Sequence, residues 1–310
     1  MFSSRIHDLA ADRVSGAAEI LRRAIEILRD ALAAHADMVE VTRAVVGAQP
    51  SMAPVWNAAL AALAARDDPG RFDRFAGRIA RAPEALARAA SEVFGPDVLP
   101  VGGTRSSPSR ESPPAGGRPL QFVTISFSGS VLAVLEAVRR TRPVEVVCSE
   151  SRPANEGRAL AARLAAGGIP VTCVLDAAIG QSLAAADAVL VGADAITAGW
   201  FVNKAGTKML AAAASTQGVP VYVVASRDKF ACAGVAARLT LGEGSPADVW
   251  RDPPPGVVVR NVCFETIPFD LVRRLITDDG VLDVGTARQV CEALDGESPA
   301  ALVSLIGGPQ

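Results

Sequence analysis

Two periodicities divide the chain. Through residue 100, apolar positions recur at intervals of three and four against a background of Ala, Leu, Arg and Glu, as in GAAEILRRAIEILRDALAA. This pattern predicts a helical domain over 1–100. Breaks near Gly47 to Pro54 and at Asp67-Asp68-Pro69-Gly70 divide it into about four helices. Residues 101–119, VGGTRSSPSRESPPAGGRP, hold too much Gly, Ser and Pro to bury a core and read as a flexible linker. From 120 to 310 the pattern changes: short apolar runs (LQFVTISF, VEVVCS, IPVTCVL, DAVLVGA, VPVYVVA) alternate with helical stretches, one of them across 203–217. Strands separated by helices of this length imply βαβ units and a mainly parallel sheet covered on both faces. The predicted fold class is α/β, with an N-terminal helical domain followed by a Rossmann-like, doubly wound sheet. The run VVVRN at 257–261 opens a closing segment that extends through Asp279-Gly280.

Composition narrows the function. Half of the 310 residues are hydrophobic and the formal net charge is −2, so the chain is globular and has no overall basic field for nucleic acid. The start lacks an apolar signal core, and no apolar run reaches the length of a membrane helix, so a cytoplasmic protein with no membrane partner is expected. Cysteines 148, 173, 232, 263 and 291 form no CxxC, which argues against a disulfide framework and a zinc site. No metal or other cofactor is expected. His7 and His35 are the only histidines, which disfavours a hydrolase triad in the second domain.

In doubly wound sheets ligands sit beyond the carboxyl ends of the strands. Four segments occupy such positions: SFSGS at 126–130, SESRPANEG at 149–157, GADAITAGWFVNKAGT at 192–207 and RNVCFETIP at 260–268. They supply a hydroxyl-rich turn with Ser126 and Ser128, the carboxylate of Glu150 beside Arg152, Asp194 after a glycine, and Asn203-Lys204 at a helix start. Helix N-termini with Arg and Lys nearby suit an anionic substrate.

These segments resemble, in order, the motifs of the family that unites the regulatory subunits of eukaryotic initiation factor two-B with aldose-phosphate isomerases. VLVGADAITAGWFVNKAGTKMLA, SESRPANEGRALAARL, VVVRNVCFETIP and RVSGAAEIL carry the likeness, which covers most of residues 5–285. The resemblance implies a site for a phosphorylated sugar or nucleotide built from Gly16, Ala17, Ser128, Glu150, Arg152, Asn203 and Lys204. It also implies a homodimer through the second domain. In the isomerase branch, methylthioribose-1-phosphate and ribose-1,5-bisphosphate isomerases, it implies a cysteine and an aspartate as the acid–base pair. Asp194 matches the aspartate, but Ser126 stands where those enzymes carry Cys, and a hydroxyl is a far weaker acid than a thiol. Ser15 likewise stands where they favour Arg. The expectation is therefore a ligand-binding member with isomerase activity altered or lost. The alternatives are an active isomerase working through Asp194 and an assembly or regulatory subunit with a vestigial pocket.

Each residue also has a plainer role. Asp194 could cap a turn, Asn203 could start a helix, Arg152 could pair with Glu150 on the surface, and Arg260 and Asn261 could tie the closing segment to the sheet. Lys208 reads as a solvated helix residue. Cys148, at the end of an apolar strand, reads as a small buried hydrophobe rather than a replacement thiol.

Overall fold

The computed structural model describes residues 2–12, 16–95, 118–297 and 300–307. The predicted linker lies outside these residues except for Arg118 and Pro119, as do Ser15 and most of RVSGAAEIL's first half.

Among the described residues the N-terminal half holds five helices, against about four expected: α1 (Phe2–Ala11), α2 (Ala17–Ala33), α3 (Met38–Ala48), α4 (Ala53–Ala64) and α5 (Gly70–Phe94). Besides the two predicted breaks, the chain also divides between α1 and α2 and between α2 and α3. There the Asp37 carboxylate accepts from the N–H groups of Val39 (2.9 Å) and Glu40 (3.2 Å) and restarts the helix. In α2 the burial of Ile20, Leu21, Ala24, Ile27, Leu28 and Ala31 follows the helical period. Helix α4 is apolar on every side and buried along its length except at Asn57, as a central helix must be. Asn57 uses its amide to hold the second half of the molecule, donating to the carbonyls of Asp228 (2.6 Å) and Phe230 (2.8 Å).

The second half runs β1 (Leu120–Thr124), α6 (Gly129–Arg139), β2 (Val144–Ser149), α7 (Glu156–Ala166), β3 (Val171–Val174), a 3-10 stretch (Asp176–Ala185), β4 (Ala188–Val191), β5 (Ala195–Ile196) and β6 (Trp200–Lys204). It continues with α8 (Thr207–Thr216), β7 (Val221–Val224), a 3-10 turn (Arg227–Lys229), α9 (Ala233–Ala236), β8 (Phe264–Pro268), β9 (Arg274–Thr277), β10 (Gly280–Leu282), α10 (Val284–Glu297) and α11 (Ala300–Gly307).

The main sheet has the order β10-β9-β7-β4-β1-β2-β3, parallel except for β10. Val123 of β1 pairs with Val147 of β2 on one side and Val189 of β4 on the other. The chain winds outward from β1 in one direction and from β4 in the other, so the topological switch point lies between them.

A second, antiparallel sheet, β5-β6-β8, was not foreseen. It changes one expectation directly: Asn203 and Lys204 end strand β6 instead of starting a helix. Helix α8 begins at Thr207, after Gly206 turns the chain at φ 100°. β-branched and aromatic residues in WFV pair with β8 and override the helical reading. VVVRN forms no strand, and Val258 lies open to solvent.

The halves share their packing. The second half of α5 lays Leu86, Ala89, Ala90 and Phe94 on the sheet, where the Phe94 ring meets Phe122 and Tyr222 edge-on at 5.0 and 5.2 Å. Helix α11 returns to the first half: Val303 and Ile306 join its core, and Arg43 donates to the Leu305 carbonyl at 2.9 Å.

Candidate functional site

The switch point opens into a cavity of about 670 Å³ between the strand ends and helices α2, α3 and α5. Its sheet side is built by close approach. A side chain at Gly192 would bring its first carbon 2.6 Å from Ser128 Oγ, so only glycine lets the end of β4 meet the start of α6. Ser128 caps α6, accepting from Val131 N–H at 3.3 Å, and Ser128, Gly129 and Ser130 present that helix's N-terminus to the cavity. Ser126 holds a left-handed conformation (φ 65°), fixed by its N–H donating to Ser151 Oγ at 2.8 Å.

Asp194, beyond β4, borders the cavity. Its carbonyl accepts from the first N–H of α4, that of Ala53, at 3.2 Å. Burial pushes its carboxyl above the ordinary value, while Lys229 and Lys204 pull it down and Glu156 pushes it up. Lys204, buried at the end of β6, pairs with Glu156 at 2.8 Å. Asn203, also buried, donates to Thr207 Oγ1 at 3.0 Å and so ties the end of β6 to the start of α8. Lys229 is buried and donates to the Ala193 carbonyl. Among the described residues no carboxylate lies within 4.0 Å of its ammonium, which leaves it charge to offer the cavity.

Of the residues singled out in the sequence, Ser126, Ser128, Asp194, Asn203, Lys204 and Asn261 meet here, together with Gly16 and Ala17 at the start of α2. Glu150 and Arg152 lie outside the lining. Glu150 pairs with Arg158, and the Arg152 N–H donates to Asp176 Oδ2 at 2.7 Å while its side chain is exposed. The segment turns away because Asp176 gathers the N–H groups of both Ser151 and Arg152, and Pro153 and Ala154 reach the cavity instead. Arg260 pairs with Glu243, Asn261 is buried and donates to the Ser245 carbonyl at 2.8 Å, and Lys208 is exposed. Cys148 is fully buried and does not border the cavity; burial, and then Cys173, pushes its thiol up to about 12. A thiol so placed is inert toward a ligand in the cavity.

The sequence reading lacks Lys229, Asp228, Ser226, Glu156, Gln49 and Cys263, all of which line the cavity. The first three follow VPVYVVA, so the strand-end rule applies to them as it does to Asp194. Gln49 carries no such signal. It is buried beside α1 and donates to the Leu9 carbonyl at 2.7 Å. Among the described residues no group of His, Cys, Asp and Glu is placed to hold a metal ion, and no helix is long and apolar enough to cross a membrane.

Comparison with known proteins gives consistent findings. The model of the initiation factor 2 subunit family matches residues 119–284. A putative translation initiation factor eIF-2B subunit 2-like protein of Pyrococcus horikoshii is 37% identical over 164 residues, 52% of this chain and 57% of that one. The ribose 1,5-bisphosphate isomerase of Methanocaldococcus jannaschii is 33% identical over 180 residues, 56% of this chain and 58% of that one. Both matches thus span less than two thirds of the relative. The crystal structure of the Pyrococcus horikoshii translation initiation factor eIF-2B superposes with a TM-score of 0.70 at 26% identity, covering 91% of this chain and 96% of that one.

Proposed function

The chain belongs to the initiation factor 2 subunit family, and from that premise we propose that it holds a phosphorylated sugar or nucleotide in the cavity, with aldose–ketose isomerase activity altered or lost. The observation that carries this reading is one buried lysine, Lys229, without a carboxylate partner among the described residues, facing the same space as the N-terminus of α6. An ammonium and a helix N-terminus together favour an anion such as a phosphate, and the Asp194 and Glu156 carboxylates suit sugar hydroxyls. The reduced activity rests on Ser126. Among the described residues no histidine lines the cavity to activate its hydroxyl. Ribose phosphates, methylthioribose 1-phosphate and purine nucleotides at millimolar concentration are expected to raise the melting temperature, because a ligand of the native state stabilises it. The absence of a shift with all of them defeats the reading.

One observation favours a second reading, an active isomerase. Asp194 borders the cavity, and burial raises its carboxyl above the ordinary value, which favours its proton-bearing form. If so, proton NMR shows ketose forming from ribose 1,5-bisphosphate or methylthioribose 1-phosphate, and Asp194→Asn abolishes it without abolishing binding. Unchanged turnover in that variant removes Asp194 from the chemistry.

In either case the protein is expected to be a homodimer through the second half. The support is the free edge of β3, where Cys173 and Leu175 are exposed. A monomer in light scattering at micromolar concentration rejects it.

A further inference from the structure

Three neighbouring strands end in a chain of hydrogen bonds that leads to the cavity. Ser126 follows β1, Ser151 follows β2 and Asp176 follows β3, and these strands lie side by side in the sheet. Ser126 and Ser151 both hold left-handed conformations, at φ 65° and 61°, which a serine adopts at a cost and only where its surroundings impose it. For Ser151 that influence is Asp176. One carboxylate oxygen accepts from the Ser151 N–H and the other from the Arg152 N–H, each at 2.7 Å, so one charge holds two successive backbone donors. For Ser126 it is Ser151, whose Oγ accepts from the Ser126 N–H at 2.8 Å. The hydrogen of that hydroxyl is directed toward Ser149, whose carbonyl and hydroxyl oxygens lie at 3.4 and 3.2 Å, which leaves a lone pair for Ser126. Room for the hydroxyl comes from Gly157, where a first side-chain carbon would stand 2.9 Å from Ser151 Oγ.

Of these three residues Ser126 alone borders the cavity. Ser151 is 1% exposed, Asp176 is half-buried, and neither belongs to the lining. Building on the sugar-phosphate reading, we propose that Ser151, itself held by Asp176, is a positioning residue: it keeps Ser126 in the left-handed conformation in which that residue borders the cavity. The end of the outermost strand thereby sets the shape of a site two strands away. Without the Ser151 acceptor the residue after β1 relaxes toward negative φ, and Ser126 and Phe127 leave their places in the wall. Ser151→Ala removes that acceptor while the backbone N–H groups that Asp176 holds remain, so the segment that brings Pro153 and Ala154 to the cavity stays in place.

The test is a double-substitution cycle built on glycine, which takes positive φ without support. Affinity for ribose 1-phosphate is measured by calorimetry, and the melting temperature without ligand, for Ser151→Ala made in the wild-type chain, in Ser126→Gly and in Ser126→Ala. The last removes the same hydroxyl as Ser126→Gly but keeps the steric cost of positive φ. Ser151→Ala is expected to weaken ribose 1-phosphate by about tenfold in the wild-type and Ser126→Ala chains, the effect of a lost hydrogen bond and a relaxed turn. In the Ser126→Gly chain the loss is about twofold or less, within the limit of additivity. The fall in melting temperature is likewise smallest in the Ser126→Gly chain. Asp176→Asn, which keeps one of the two acceptor oxygens, gives smaller losses in the same order and decides the matter if Ser151→Ala fails to fold. Equal losses in all three chains assign Ser151 to the general scaffold and overturn the proposal. Undiminished affinity of Ser151→Ala in the wild-type chain also overturns it. If the wild-type chain does not bind ribose 1-phosphate, the sugar-phosphate reading falls, and the melting temperatures of the same cycle still support or overturn the hold on Ser126.

Discussion

The two walls of the cavity are built on different principles. The sheet wall consists of strand ends and the turns that follow them, and it carries the charge: Asp194, Lys204, Asp228 and Lys229. Its backbone is locked by close contacts and side-chain hydrogen bonds. The helical wall, from α2, the end of α3 and α5, offers mostly small or apolar groups such as Ala17, Leu21, Ala82, Pro83 and Leu86, with Gln49 among its few polar members. A charged wall requires fixed geometry, because an ammonium displaced by an ångström loses its partner. An apolar wall mainly requires shape.

The sharpest break lies just behind the sheet wall, at Gly157 in the first turn of α7, which packs on the end of β2 and does not border the cavity. A first side-chain carbon there would stand 1.8 Å from the Ser149 carbonyl oxygen, a backbone atom that cannot rotate aside. Gly157→Ala is expected to cost about 3 kcal/mol or more, at the upper end of overpacking, because α7 must lift from β2. Urea denaturation reads the change, and a loss below about 1 kcal/mol means that the approach is looser than the coordinates give. On the helical wall Ala17→Ser, at a half-buried helical position, changes stability by at most about 0.5 kcal/mol. If the two substitutions cost the same, the contrast between the walls fails.

Next in size is Lys229→Gln. It keeps a donor for the Ala193 carbonyl but removes an ammonium that has no carboxylate within 4.0 Å among the described residues. Ribose phosphate affinity is expected to fall by about a hundredfold, the loss of a charge-assisted contact in a desolvated site. Lys204→Gln falls less far, since Glu156 already occupies that ammonium. The reverse order moves the anion to the other lysine.

The difference between the walls also governs what was legible in the sequence. Strand ends can be located by counting, and in an open α/β sheet they converge at one edge. Ser126, Ser128, Asp194, Asn203 and Lys204 were found that way, and Lys229 obeys the same rule. Glu150 and Arg152 satisfy the rule but not the geometry, because the Asp176 carboxylate, a full strand away in sequence, turns their segment outward. The helical wall has no such rule. Helical periodicity marks which stripe is buried but not whether a core or a cavity faces it, so Gln49, Pro83 and Leu86 looked like any other helix residues. The small sheet β5-β6-β8 escaped for a third reason: its strands are short, and β6 pairs with β8, some sixty residues further on.

Gln49 tests the helical wall where it is polar. Its amide satisfies the Leu9 carbonyl, and Gln49→Ala leaves that acceptor without its donor. A loss of about 1–2 kcal/mol is expected, with affinity for ribose phosphates nearly unchanged. A large loss of affinity with unchanged stability makes Gln49 a ligand contact and gives the helical wall a recognition role.

The last test concerns Asp194, where burial and two lysines act in opposite directions. Burial raises its carboxyl above the ordinary value of 3.8, Glu156 adds to that, and Lys229 and Lys204 oppose it. With the folded-state value above the unfolded one, the native state binds more protons between the two, so this group's contribution to stability falls as pH rises through that interval. Below about pH 4 both states hold the proton and Asp194 and Asn at this position are nearly equivalent; above the folded-state value the variant avoids a buried charge. Asp194→Asn is therefore expected to be more stable than wild type at pH 7, with the difference closing as pH falls below 4. Denaturation midpoints across that range measure it. If the variant is instead less stable at pH 7, the two lysines outweigh burial, and the sheet wall holds its carboxylates as counter-ions more than as proton carriers.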